Sequence, residues 1–120
     1  MATERLPLFA FGTLRRGEAN HHYLAGRYDR VLPARLPGYA TVGPLMIDRS
    51  EASSVPGELF FLPPGSYDVT MTECDELEGI TPGQTRYAIY ERRRVRVLTD
   101  IGPHDAWAYV RPARGYQFAE

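Results

Sequence analysis

Phe9-Ala10-Phe11-Gly12-Thr13-Leu14-Arg15-Arg16-Gly17 is the stretch on which the reading of this chain turns. The apolar run Leu6 to Phe11 reads as a first strand, ending at Gly12, whose freedom at positive φ lets a chain turn sharply. The loop from Gly12 to Gly17 can aim successive backbone N–H groups into one concavity, fit to hold a carboxylate or the oxygen of a tetrahedral intermediate. Read locally, the same residues also make an ordinary strand-to-helix turn carrying two solvated arginines. Just beyond, Asn20 can cap a short helix over His21, His22, Tyr23 and Leu24, with Gly26 placed to stop it.

Further out, the chain alternates short extended runs with turn signals. Tyr28 to Tyr39 is extended, because Pro33 and Pro37 push Leu32 and Leu36 out of the helical region and suit an edge or irregular strand. Pro44 to Asp48 and Glu58 to Leu62 are two more strands, separated by a polar turn around Ser50 to Ser54. Ser66 to Leu77 is the best helix: Thr70 and Glu73 have capping-box spacing, and Met71, Cys74 and Leu77 recur on one face. Its start falls at either Ser66 or Thr70, and Gly79 marks its end. Arg86 to Thr99 alternates as a strand, with Arg93, Val95 and Val97 on one side and Tyr90, Arg92, Arg94 and Arg96 on the other. Ile101 to Asp105 turns the chain into a partner strand, Ala106 to Val110, with Trp107 and Tyr109 on one face and Trp107 in the core. About six strands, one good helix and short connections predict an α+β domain with a closed or nearly closed sheet. With 120 residues the chain is read as a single domain, 1–120.

Composition removes whole classes of chemistry. All 14 basic residues are arginine, so a Schiff-base lysine, a phosphate-loop lysine and a lysine base are excluded. One cysteine makes no internal disulfide, and three histidines cannot support a rich metal cluster. The net charge of -1 lacks the basic excess of a protein that coats phosphates, so no nucleic-acid partner is expected. No apolar run approaches the roughly 18 residues of a membrane span, and Leu6 to Phe11, with no positively charged leader and no small-residue cleavage site after it, is not expected to be a signal peptide. A soluble cytoplasmic protein with no membrane partner is the expectation, and oligomeric state is not readable.

Glu78 falls at the end of the helix, in Cys74-Asp75-Glu76-Leu77-Glu78-Gly79. The negative end of the helix dipole, Asp75 three residues back and any burial all raise a carboxyl's pKa there, toward the range useful for general acid–base work. An exposed acidic helix end fits the local pattern as well. His21 and His22 are adjacent and cannot share a metal as an i, i+4 pair can, so they read as packing or capping residues and no metal site is expected. Cys74 reads as a core thiol. The run Arg92, Arg93, Arg94 and Arg96 reads as a solvated edge that resists strand pairing.

Taken together, these stretches resemble the γ-glutamylcyclotransferase-like superfamily, closest to its γ-glutamylamine cyclotransferase branch. Phe9 to Gly17 with Asn20-His21-His22 is similar to the family's tyrosine-glycine-threonine/serine-leucine motif. Asp75-Glu76-Leu77-Glu78-Gly79 is similar to its aspartate-x-aromatic/leucine-glutamate-glycine motif. Tyr90-Glu91-Arg92 and Ala106-Trp107-Ala108-Tyr109-Val110 are similar to its tyrosine-x-arginine and tryptophan-x-tyrosine strands. The resemblance implies a small mixed β-barrel flanked by short helices, with the pocket at its mouth. It implies a cofactor-free enzyme of transferase or lyase type, in which the α-amino group of a small γ-glutamyl substrate attacks its own γ-carbonyl to give 5-oxoproline. Glu78 would be the catalytic residue, and Phe11, Gly12, Thr13, Leu14, Arg15, Tyr87 and Tyr90 would bind substrate. The chain departs from the family at Phe11, where tyrosine is usual, and in the long connection Gly79 to Ile89, whose Tyr87 would be the tyrosine that matters if that loop overhangs the pocket. A module that holds a small carboxylate without turning it over is the alternative reading of the same pocket.

Overall fold

Three residues, Leu8–Ala10, form strand β1, shorter than the apolar run that contains them. Pro7 has no N–H to give to a ladder, and its carbonyl instead accepts from the Trp107 amide at 2.9 Å. The computed structural model describes residues 4–43, 46–80 and 90–112. After β1 come a 3-10 turn, His21–Tyr23, the long strands β2, Arg30–Gly43, and β3, Met46–Phe61, helix α1, Tyr67–Leu77, and strands β4, Glu91–Thr99, and β5, Gly102–Val110. The strands close into a barrel in the order β1-β3-β2-β4-β5. It is mixed, because β1 runs parallel to β5 at Leu8↔Trp107 and all other pairs are antiparallel.

The α+β barrel expected from the sequence is therefore present, with five strands among the described residues where about six were expected. The difference lies in β3. Met46 to Asp48 and Glu58 to Phe61 belong to one strand, Pro44 lying outside the described residues and Leu62 beyond the strand's end, and the polar turn expected at Ser50 to Ser54 is an irregularity within it. Register passes from Tyr39↔Arg49 to Pro37↔Ser54, so Ser50 to Ser53 bulge opposite Gly38, with the Ser50 hydroxyl 3.1 Å from that of Ser53. Of the edge or irregular strand expected from the prolines of β2, the irregular one is found: β2 has register shifts and lies between β3 and β4. Among the described residues β2 meets β4 at one pair, Arg35↔Leu98, between Pro33 and Pro37, neither of which has an N–H.

Three smaller expectations are corrected. The turn before β5 is tighter than Ile101 to Asp105: Thr99 pairs with Gly102, and the Thr99 hydroxyl donates to the Gly102 carbonyl at 2.8 Å. β4 is not an edge, since it lies between β2 and β5, and its outward arginines form cross-strand ion pairs, Arg94 and Arg96 both reaching Asp105. Trp107 is not in the barrel interior; it is half-buried on the outer face, under the Arg92 guanidinium 5.0 Å from its ring.

Two apolar clusters follow from strand alternation. Inward residues, among them Phe9, Leu36, Ile47, Val55, Leu59, Val97 and Val110, fill the barrel. Outward residues Leu8, Ala10, Phe60 and Tyr109 pack with Leu14 and Leu24 against Tyr67, Met71 and Cys74 of α1. α1 starts at Tyr67 with Ser66 in the cap position, so of the two expected starts the earlier one holds. The capping box does not form: Thr70 is inside the helix and fully buried. No helix among the described residues is long and apolar enough to cross a membrane.

Candidate active site

The loop after β1 is fixed by three anchors. The β1–β3 register sets Glu58 opposite Ala10, at the point where β1 ends, and its carboxylate accepts from the Arg16 amide at 2.8 Å and from Arg16 Nε at 2.9 Å. Asn20 accounts for the second. Its expected helix-capping bond is absent; its side-chain amide donates to the Thr13 hydroxyl at 2.9 Å while its backbone N–H donates to the Thr13 carbonyl at 2.9 Å. Third, His21 Nδ1 lies 2.9 Å from the Leu14 carbonyl, with the imidazole ring packed against Phe60 and Tyr28. Thus His21 is a packing residue as expected, in a one-turn 3-10 helix over His21–Tyr23 in place of the expected α-helix.

The left-handed backbone expected at Gly12 is found at Gly17 instead, at φ 83°. Held this way, the amides of Gly12, Thr13 and Leu14 make no hydrogen bond to another described residue. They are available to an anion. A close approach behind them is made possible by Gly57 of β3: a Cβ there would fall 2.3 Å from the Ala10 carbonyl oxygen and 2.7 Å from the Phe9 ring. Only glycine lets β1 sit this deep in the barrel wall.

The opposite wall comes from the end of α1. Glu78 is its C-cap, and the chain leaves through a Schellman closure: Gly79 N–H donates to the Glu76 carbonyl at 3.1 Å and Ile80 N–H to the Asp75 carbonyl at 2.8 Å, with Gly79 at φ 82°. Ile80 then packs into the same cluster as Cys74. This termination, signalled in the sequence by Gly79, turns Glu78 inward instead of leaving it in solvent.

Between the two walls lies a cavity of about 190 Å³. Phe9 and Phe11 reach it from the barrel interior; Ala10, Leu14, Leu77 and Tyr109 reach it from the helix-side layer; Gly12, Thr13, Asn20, Glu78 and Tyr90 complete it. Burial, and secondarily the charge of Asp75, push the Glu78 carboxyl up to about 7. The Tyr90 hydroxyl is raised by burial and by Glu78. Behind the cavity, Asp75 accepts from the Tyr109 hydroxyl at 2.7 Å and lies 3.6 Å from Arg92 Nε. The Cys74 thiol is fully buried and pushed up to about 12, chiefly by burial, consistent with a core thiol.

Of the residues singled out in the sequence, Phe11, Gly12, Thr13, Leu14, Glu78 and Tyr90 are brought to one cavity. Arg15 is not in its wall. Its guanidinium folds back, with Nε donating to the Gly12 carbonyl at 3.0 Å and a terminal nitrogen 3.7 Å from Glu18. Tyr87 lies outside the described residues. Tyr109 and Asn20 were missed as pocket residues. Both stood within the quoted motifs, but whether Tyr109 is lined up with the pocket depends on the packing of α1 across β5, which has no local signal.

The family model described as gamma-glutamyl cyclotransferase, AIG2-like, matches residues 8–119. No curated protein matches the chain. Among solved structures, the crystal structure of YkqA from Bacillus subtilis is similar at TM-score 0.66 and 23% identity, over 95% of this chain and 41% of that one. An uncharacterized protein from Pyrococcus horikoshii is similar at TM-score 0.53 and 19% identity, over 95% of this chain and 92% of that one. A structure titled gamma-glutamyl cyclotransferase is similar at TM-score 0.58 and 16% identity, over 89% of this chain and 66% of that one. At these identities the likeness is one of fold, and the chain spans about two fifths of YkqA's length.

Proposed function

This chain belongs to the gamma-glutamyl cyclotransferase, AIG2-like family, and from that premise we propose that it converts a small γ-glutamylamine or related γ-glutamyl compound to 5-oxoproline and a free amine. The observation that carries this reading is Glu78: a carboxyl pushed up to about 7, facing a loop of available amides across a cavity of about 190 Å³. A carboxyl with that pKa can both accept and return a proton near neutrality.

The steps follow from this placement. As a carboxylate, Glu78 takes a proton from the substrate's α-ammonium. The freed amine attacks the γ-carbonyl carbon of the same molecule, a unimolecular closure whose entropic cost is lowered by holding the right conformer. The amides of Gly12, Thr13 and Leu14 hold the α-carboxylate or the oxygen on which charge develops. Protonated Glu78 returns the proton to the leaving nitrogen, the C–N bond breaks as the carbonyl re-forms, the ring nitrogen gives up its second proton to the departing amine, and 5-oxoproline leaves. Phe11 and Tyr90 are walls of this site, with Tyr87 as a further binding residue, and one domain, 1–120, carries the reaction without a cofactor.

A small molecule is the partner this reading calls for. In support, each arginine of the β4 run already has a carboxylate beside it: Arg92 with Asp75, Arg93 with Glu91, Arg94 with Glu4 and Asp105, and Arg96 with Asp105. A face so neutralised offers little to a phosphate backbone.

The test is a mass-spectrometric screen for 5-oxoproline across γ-glutamyl amines, γ-glutamyl amino acids and glutathione. Turnover of at least one compound is expected, with Glu78→Gln lowering kcat by about 10²–10⁴-fold while the protein stays folded. No turnover across the panel would overturn the reading, and saturable calorimetric binding of a ligand recovered unchanged would put the binding module in its place.

A further inference from the structure

Beneath the pocket, residues from three elements meet at one carboxylate. Asp75 of α1 accepts from the Tyr109 hydroxyl of β5 at 2.7 Å, and Arg92 of β4 brings its Nε to 3.6 Å from the same oxygen. Arg92 is itself seated over the Trp107 ring at 5.0 Å. Asp75 also gives its backbone carbonyl to the Ile80 amide, in the closure that turns Glu78 inward. The side chain is mostly buried, at 20% exposure. Tyr109 does not end at Asp75, because its ring forms part of the cavity wall.

We propose that Asp75 is a positioning residue for Glu78: clamped by Tyr109 and Arg92 behind the pocket, it keeps a negative charge at a constant place beside the Glu78 carboxyl and holds the Tyr109 ring in the wall. A free aspartate at a helix end would swing into solvent, where its charge is screened. The two donors remove that freedom, and both pull the Asp75 pKa down against burial, the larger effect, which raises it. Glu78 sees this charge as the second cause, after burial, of its raised pKa. Among the described residues, the other titratable groups about Glu78 are Cys74 on the same helix, Tyr90 ahead of β4 and Tyr109 of β5. Each of these is raised and so neutral at pH 7, whereas the charge of Asp75 acts on Glu78. The Tyr109 phenol, its pKa raised by burial and by Asp75, stays a donor throughout.

This inference rests on Glu78 as the proton-transfer group, and its test is chosen to stand apart from turnover. The probe is a ¹³C NMR titration of side-chain carboxyls in the purified protein, with the Glu78 signal assigned by its disappearance in Glu78→Gln. The wild-type midpoint is expected at about 7. Asp75→Asn keeps the shape and an acceptor for Tyr109 but loses the charge, so the midpoint moves to lower pH by roughly half a unit or more. Asp75→Glu restores the charge and brings it back toward the wild-type value. If Asp75→Asn does not fold, Asp75→Ser carries the same expectation, since its hydroxyl still accepts from Tyr109. In turnover assays the acidic limb of kcat/KM moves down with the NMR midpoint. A Glu78 midpoint unmoved in the folded, uncharged variant, even with activity lost at every pH, would overturn the inference by leaving Asp75 a merely structural role. Absence of 5-oxoproline with the wild-type protein would overturn the functional reading and leave the titration result in force.

Discussion

The barrel interior and the layer beneath α1 are both buried, yet they are built from different chemistry. Inside the barrel, Phe9, Leu36, Ile47, Val55, Leu59 and Val97 meet one another with hardly a polar atom between them. Under the helix, the apolar residues are threaded by groups that need partners: the Tyr67 hydroxyl donates to the Leu6 carbonyl at 2.6 Å, Tyr109 to Asp75 at 2.7 Å, and Arg27 reaches Glu73 at 2.5 Å. The cavity opens where the two regions join, taking Phe9 and Phe11 from one and Leu14, Leu77 and Tyr109 from the other. A closed barrel of this size is filled by its own side chains, so a pocket has to be made at its margin. There a helix end can add a carboxylate without burying it in the center.

That contrast can be broken or sharpened by substitution. The largest effect on stability belongs to the interior: Leu59→Ala, at a position with 0% exposure, is expected to cost about 2–5 kcal/mol in chemical denaturation. Glu78→Gln should do the reverse at high pH. Its folded pKa of about 7 lies above the ordinary 4.5, so its contribution to stability is full below about pH 4.5 and is lost as pH rises through 7. The glutamine variant is therefore expected to be more stable than wild type at pH 8, on the order of 1–2 kcal/mol, with the gap closing toward pH 5. A gap independent of pH would show that Glu78 is not held in a raising environment.

Gly57→Ala acts on both regions at once. Its methyl would meet the Ala10 carbonyl at 2.3 Å, so β1 must shift; a loss of about 1–3 kcal/mol is expected, together with weakened binding by the loop that β1 carries. Stability lost with the KM of an active substrate unchanged would separate the two. Asn20→Ala should give the smallest change. It removes the bond to Thr13, worth about 1 kcal/mol, and should raise KM roughly fivefold and lower the melting temperature by only a few degrees.

Much of this was legible along the chain because it is local. Gly79 after a helical run, alternation through Arg92 to Val97, and prolines in an irregular strand each act through their own backbone. What misled was also local. Ser50 to Ser54 reads as a turn until β2 supplies a partner on which four residues can bulge. Thr70 and Glu73 have the spacing of a cap, but burying Tyr67 and Met71 against β1 and β5 favours starting the helix earlier. The arginines of β4 resemble an edge only until Asp105 of β5 comes alongside.

By itself, the sequence determined the available chemistry: with no lysine, one cysteine and three histidines, a carboxylate had to be the proton-transfer candidate, and Glu78 stood at a helix end. It also determined the strand periodicity that separates an inner from an outer face. Only the tertiary structure decided which carboxylate neighbours matter, that Arg15 turns away, and that Tyr109 and Asn20 join the cavity. Those outcomes depend on the β1–β3 register and on α1 lying across β5. Both are fixed by contacts between residues dozens of positions apart, which no pattern within a single segment encodes.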